Sequence, residues 1–184
     1  MNRWIWQGAA LFAFTVSSVS AQTLPSGVDS PSGQPLEQTG SGTARYLFWR
    51  VYDGALYAPA EADTAKIQQL AVPTTLILTY HRDLSAEDII KATKATLEKQ
   101  YPQSEQRVAI DALLEPINLA LQPVSAGDAY RLDFQPEPEL LMQLSLNDRV
   151  IFSSENRDQA QAYFDLWLGE PPLSDSFKRA ILGK

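Results

Sequence analysis

The chain contains no cysteine among its 184 residues, and that absence removes several chemistries at once. Disulfides, thiolate catalysis, thiolate metal sites and a lipid anchor on a processed N-terminal cysteine are all excluded. Histidine is nearly absent too: His81 stands alone, and no second ligand or nucleophile has a recognisable spacing to it. It reads as a solvated or partly buried histidine at a strand end rather than as an acid–base group. No G-x-S-x-G occurs, so Ser125 to Asp128 reads as a turn, and no glycine-rich phosphate loop follows any strand. Neither a metal site nor a cofactor is expected. Basic charge is short as well, with 15 Lys and Arg against 22 Asp and Glu, a net charge of -7. An acidic chain repels phosphate backbones, and no basic stripe with interleaved aromatics offsets this, so nucleic acid is not an expected partner.

No apolar run reaches the ~20 residues that a membrane span requires. The N-terminus carries a shorter one, from Gly8 to Val16, preceded by Arg3 and followed by Val19-Ser20-Ala21, the pattern of an export signal cleaved after Ala21. A soluble periplasmic protein is the expectation. Removing residues 1–21 takes away one arginine and no acid, which leaves 14 basic against 22 acidic side chains and a net charge of -8. Residues 22–39 are rich in Pro, Gly and Ser and poor in apolar groups, so they read as a disordered tether. Residues 40–184 then form one domain, large enough for a sizeable core.

The densest stretch is Gly40 to Tyr57, GSGTARYLFWRVYDGALY. Its small residues lead Arg45 into an aromatic and apolar run that reads as a central strand with both faces covered. Arg45 at the mouth of such a strand is suited to holding a carboxylate, because its planar fork donates two parallel hydrogen bonds. An edge arginine paired with a surface acid is the plainer alternative. Asp53-Gly54 is a dipeptide that signals a two-residue hairpin turn.

Further on, Thr64 to Leu70 suits a short helix, Thr74 to Tyr80 a buried strand, and Ser85 with Asp88 a capping box for a helix ending near Gln100. Ser104 to Leu121 has helical spacing with Pro116 inside it, which implies a kink or a new helix start. Tyr130 to Phe134 alternates as a strand, and Asn147-Asp148 connects Leu140 to Leu146 with Arg149 to Ser153 as a hairpin. Helices are expected at Gln159 to Leu168 and from Ser174 to a glycine cap at Gly183. The pattern predicts an α+β fold with a mostly antiparallel sheet. Glu137 and Glu139 in the PEPE segment read as an exposed loop.

The order of motifs then carries a resemblance. G-S-G-x-A-R before V-Y-x-x-x-L-Y, then S-A-E-D, G-D-x-x-x-L-D-F-x-P, L-N-D-R-V and W-L-G-E-x-P-x-S-x-x-x-K-x-x-I-L-G resembles the bacterial chalcone isomerase-like family from Gly40 to Gly183. The resemblance implies a large antiparallel sheet with a layer of helices on one face and a ligand cleft between them. It also implies that the Arg45 strand runs through Asp53-Gly54 with a bulge or kink there.

In the plant enzymes of the superfamily an arginine polarises the substrate oxygens beside a set of Thr, Tyr, Asn and Thr or Ser. Arg45 matches that arginine, whereas Tyr52, about Ile89, about Thr96 and Leu166 stand where the others are expected. A site stripped of those groups loses the means of holding a phenolate and a ketone. Non-enzymatic members bind fatty acids through an arginine and a tyrosine, and Arg45 with Tyr52 resembles that pair. Tyr52 reads equally as an ordinary core aromatic, and Trp167 reads as core rather than ligand wall. The expectation is a non-catalytic binder of a fatty acid or similar amphipathic carboxylate. An isomerase or lyase on an unknown substrate and an envelope accessory protein without ligand are the alternatives. The oligomeric state stays open.

Overall fold

The computed structural model describes residues 24–184, so the expected signal segment lies outside the described residues. Among the described residues, seven strands pair in chain order as one antiparallel meander. They are β1 (Gly27–Asp29), β2 (Pro35–Tyr46), β3 (Trp49–Ala58), β4 (Thr74–Tyr80), β5 (Ala129–Gln135), β6 (Leu141–Leu146) and β7 (Arg149–Ser154). Helix α1 (Thr64–Gln68) joins β3 to β4, α2 (Ala86–Gln100) and α3 (Ser104–Ala120) join β4 to β5, and α4 (Arg157–Leu168) and α5 (Asp175–Ile181) close the chain. All five described helices bury apolar side chains in one cluster with the inward strand residues Leu56, Leu76, Leu132 and Leu144, so they form a single layer on one face of the sheet. This is the expected α+β arrangement. No described helix is long and apolar enough to cross a membrane.

Local chemistry accounts for most boundaries. The Ser85 hydroxyl accepts the Asp88 amide while the Asp88 carboxylate accepts the Ser85 amide, which satisfies the first-turn donors of α2. Helix α3 runs on through Pro116 as one element, rather than restarting there. Asn147 and Asp148 both take left-handed backbone, φ 49° and 63°, which is what a tight two-residue β-hairpin demands and what these residues tolerate. The Glu137 and Glu139 loop is exposed, as expected.

Three readings of the N-terminal half are corrected. The tether expected at 22–39 is, from Gly27 onward, β1 and the start of β2. Few apolar groups suffice there, because the cost of ordering is met largely by backbone pairing. Leu36 joins Ala55 and Tyr57 on the outer face under Leu24 and Val28, while the Tyr57 hydroxyl donates to Pro25 O at 2.9 Å. Second, the single strand expected through Arg45 is two strands, and the turn falls at Leu47-Phe48, where no turn chemistry signals it. Third, Asp53-Gly54 lies mid-strand in unbroken register with β4. Asp53 points outward and accepts from Thr43 (2.5 Å), Arg50 (2.8 Å) and His81 Nε2 (2.9 Å). Partial burial alone would raise the Asp53 carboxyl, and the hydrogen bonds from Thr43, Arg50 and His81 outweigh it and hold it below the usual range.

The bulges sit elsewhere, at Thr39 on β2 and Val51 on β3. The first reverses which side chains face the helices. Leu36 faces out, whereas Gly40, Gly42 and Ala44 face α5. That helix lies so close that a Cβ on Gly40 would stand 2.2 Å from Ala180 O, one on Gly42 2.7 Å from Ala180 Cβ, and one on Gly54 2.6 Å from Phe177 Cζ. The close seat lets Phe177 bury fully, a contribution of about 1.5–3 kcal/mol. The seat is fastened at both ends. Lys178 Nζ donates to Gly169 O (2.8 Å) and pairs with Glu170 (2.5 Å), and the Thr39 hydroxyl lies 2.8 Å from Ile181 O.

Substituting Gly40→Ala is therefore expected to destabilise the protein by about 1–3 kcal/mol through overpacking against backbone. Urea unfolding should show a lower midpoint at unchanged slope. An unchanged midpoint would contradict the close seat of α5.

Candidate functional site

Where the floor of glycines ends, helices and sheet part to enclose a cavity of about 670 Å³. Its sheet wall is built from inward residues of β3, β4 and β5, chiefly Tyr52, Leu76, Leu78, Tyr80 and Leu132. Its helical wall comes from Ile89, Ala92 and Thr93 of α2 and from Tyr163 and Trp167 of α4. Alternation along β3 to β5 places the apolar residues inward, and the turn spacing of α2 and α4 brings their residues to face them.

Tyr52 is buried in this wall and accepts a hydrogen bond from Trp167 Nε1 at 3.1 Å across 115 positions of sequence. The indole occupies an acceptor site only, so the phenolic proton stays available to a ligand oxygen. Tyr80 packs edge-on to Tyr52 at 5.6 Å and to Tyr130 at 6.0 Å, and Tyr163 edge-on to Trp167 at 5.6 Å. The Tyr130 hydroxyl is already used, donating to Gln122 O and accepting the Gln122 amide. Tyr80 and Tyr163 make no hydroxyl hydrogen bond to the protein among the described residues. Burial pushes Tyr52 up to about 12, with the Trp167 hydrogen bond opposing in part, and pushes Tyr80 and Tyr163 well above the ordinary phenol value. All three remain protonated donors at neutral pH.

Charge is confined to the rim, where Arg45, Arg82, Asp83, Asp88 and Lys91 are exposed. Asp88 is engaged in the α2 cap and Asp83 accepts the Ala126 amide at 3.1 Å. Arg45 has no acidic partner in ion-pair range among the described residues. The two residues singled out from sequence thus border one cavity from neighbouring strands, Tyr52 deep in the wall and Arg45 at the mouth.

Of the other aligned positions, Ile89 lines the cavity. Thr96 spends its hydroxyl on Ala92 O (3.0 Å), and Leu166 is packed in the core. Trp167 is core, as expected, and also forms part of the cavity wall, and the roles of Tyr80 and Tyr163 were missed. The signal for Tyr163 was available: at i and i+4 on α4 it shares a face with Trp167.

A family model described as chalcone isomerase-like matches residues 17–183. No curated protein matches the chain. Among solved structures, a fatty-acid binding protein of Arabidopsis thaliana is similar at 14% identity and a TM-score of 0.54, over 85% of this chain and 95% of that one. At that identity the likeness concerns the fold.

Because the phenols ionise more easily in the unfolded chain, near 10, than in the fold, their contribution is complete below pH 10 and is lost as pH climbs toward 12 and beyond. Alkaline unfolding should therefore set in across that window, and Tyr52→Phe should make the loss of stability with pH shallower. At neutral pH the same variant should cost about 1–3 kcal/mol by orphaning the buried indole N–H. Equal slopes for both proteins from pH 10 to 12 would show that Tyr52 is not held neutral by burial.

Proposed function

The chain belongs to the chalcone isomerase-like family, and on that premise we propose that it is a periplasmic, non-catalytic binding protein for a fatty acid or a similar amphipathic carboxylate. The observation that carries this reading is how polarity is distributed in the 670 Å³ cavity. Its depth is apolar and aromatic, with phenols that stay protonated, and its charges stand only at the mouth. A ligand with an acyl tail and an ionised head fits that division: the tail replaces water against Leu76, Leu78 and Leu132, and the head meets cations at the rim. The volume lies within the range of about 300–1,000 Å³ usual for small-molecule sites.

Arg45 is the head-group clamp in this reading, since it is uncommitted to any carboxylate among the described residues and can present two donors. Arg82 and Lys91 add positive charge at the same mouth. Tyr52 assists from within, offering its free proton to a ligand oxygen that reaches past the rim. The name of the Arabidopsis protein supports the assignment, as does the shared fold. Export to the periplasm rests on the segment 1–21 read from the sequence.

Native mass spectrometry of the purified protein should find a long-chain carboxylate bound. Arg45→Ala should weaken its retention by about tenfold, the loss expected for a charge-assisted hydrogen bond in partial contact with water. Wild-type protein with no bound lipid, and none acquired from added fatty acid, would overturn the reading; equal retention by both proteins would remove Arg45 from it.

A further inference from the structure

The hairpin that joins β2 to β3 ends in four consecutive exposed apolar residues. Tyr46 is 70% exposed, Leu47 75%, Phe48 93% and Trp49 63%. The expectation that both faces of this stretch are covered is wrong: it projects from the fold beside the cavity mouth, which Arg45 and Tyr46 help to line. The same sheet supplies a comparison. The β6–β7 turn uses Asn147-Asp148, suited to water and to left-handed backbone, whereas the β2–β3 turn uses Leu47-Phe48 with Leu47 at φ 54°. Leucine is disfavoured there by its Cβ and disfavoured in water by its side chain, and no described contact compensates either cost.

The register shows an order within the tip. Leu47 and Phe48 form the apex, Tyr46 pairs with Trp49 one rung below, and Arg45 pairs with Arg50 one rung below that. With a rise of about 3.4 Å per residue, hydrocarbon, amphipathic ring and cation succeed one another over a single hairpin turn. A bilayer surface presents the matching layers: acyl chains, the headgroup boundary where Trp and Tyr concentrate, and phosphate. Arg82, whose guanidinium lies 5.5 Å from the Trp49 ring centre, adds charge at the same level. Arg50 also pairs with Asp53, but Arg45 has no such partner among the described residues, and residues 42–52 contain no acid in a chain of net charge -7. A four-residue convex tip offers too little area for a standard protein interface of about 800 Å² per partner.

We propose that the β2–β3 hairpin tip inserts into the surface of an anionic lipid bilayer and sets the cavity mouth against it. Ligand exchange with the membrane at that mouth rests on the binding reading above; the docking itself does not.

Because the chain has no cysteine, a single one can be placed and labelled in the full-length protein with an environment-sensitive fluorophore. Phe48→Cys probes the apex. Glu139→Cys probes the exposed β5–β6 loop, at the opposite end of the sheet by register. With vesicles of phosphatidylcholine and phosphatidylglycerol, emission from position 48 should shift to the blue and that from position 139 should not, and the shift should weaken in salt and on pure phosphatidylcholine. Replacing Leu47 and Phe48 together by Ser should lower vesicle partitioning by about tenfold or more, given the apolar area withdrawn from the bilayer. An unmoved spectrum at position 48, an equal shift at position 139, or undiminished partitioning of the double variant overturns the proposal. Its fatty-acid content, measured without vesicles, separates the two readings: an empty cavity with intact docking refutes only the binding, and a loaded cavity without docking refutes only this one.

Discussion

Helix α5 can lie against the sheet only because β2 and β3 present almost nothing beneath it. Gly40, Gly42 and Gly54 bring backbone to within van der Waals reach of Ala180 and Phe177, and a methyl group at any of them would collide. That contact sets the height of the helical layer at one end of the sheet. Phe177, seated there, meets Tyr52 edge-on at 5.2 Å, and the Tyr52 hydroxyl in turn accepts a hydrogen bond from the Trp167 indole N–H. The line Phe177, Tyr52, Trp167 is the boundary between a packed end, where helix and strand touch, and a hollow end, where they separate. Tyr52 and Trp167 line the cavity, whereas Phe177 and the glycines beneath α5 do not.

The motifs behind the family resemblance therefore describe how the fold is assembled more than how the site works. The glycines of G-S-G make room for α5, the W-L-G-E turn is fixed by Lys178, and Ser174 caps α5 by accepting the Phe177 amide. L-N-D-R-V is a hairpin, and Asp128 of G-D accepts the Ser125 amide at 2.7 Å. Fold class, the α2 cap and strands β4 to β7 were legible because each has a local cause: a capping box, a period of two, a turn residue. The hairpin at Leu47-Phe48 was not legible, since its residues contradict turn chemistry. The outer strands at 27–38 were hidden too, because what holds them is backbone pairing with each other and with β3 more than their own apolar content.

The site was legible in part. Arg45 and Tyr52 do border one cavity, but through a hairpin and a bulge at Val51 rather than along a single strand. Arg45 thus stands at the rim while Tyr52 stands within. The aromatic lining joins Tyr80 of β4 to Tyr163 and Trp167 of α4; the i, i+4 spacing on α4 marks a shared face, but no local period says which strand that face meets. The exposed hairpin and the cavity mouth belong to the same corner of the molecule, so the stretch that misleads as a covered strand is also the one that most changes the functional picture.

A structure of the protein crystallised with a long-chain fatty acid tests the central claim most directly. The account predicts an acyl chain lying between Leu78, Leu132 and Ile89, with its carboxylate at the mouth within hydrogen-bonding distance of Arg45. A cavity closed by its own side chains, or a ligand whose carboxylate is buried away from every rim cation, would contradict it.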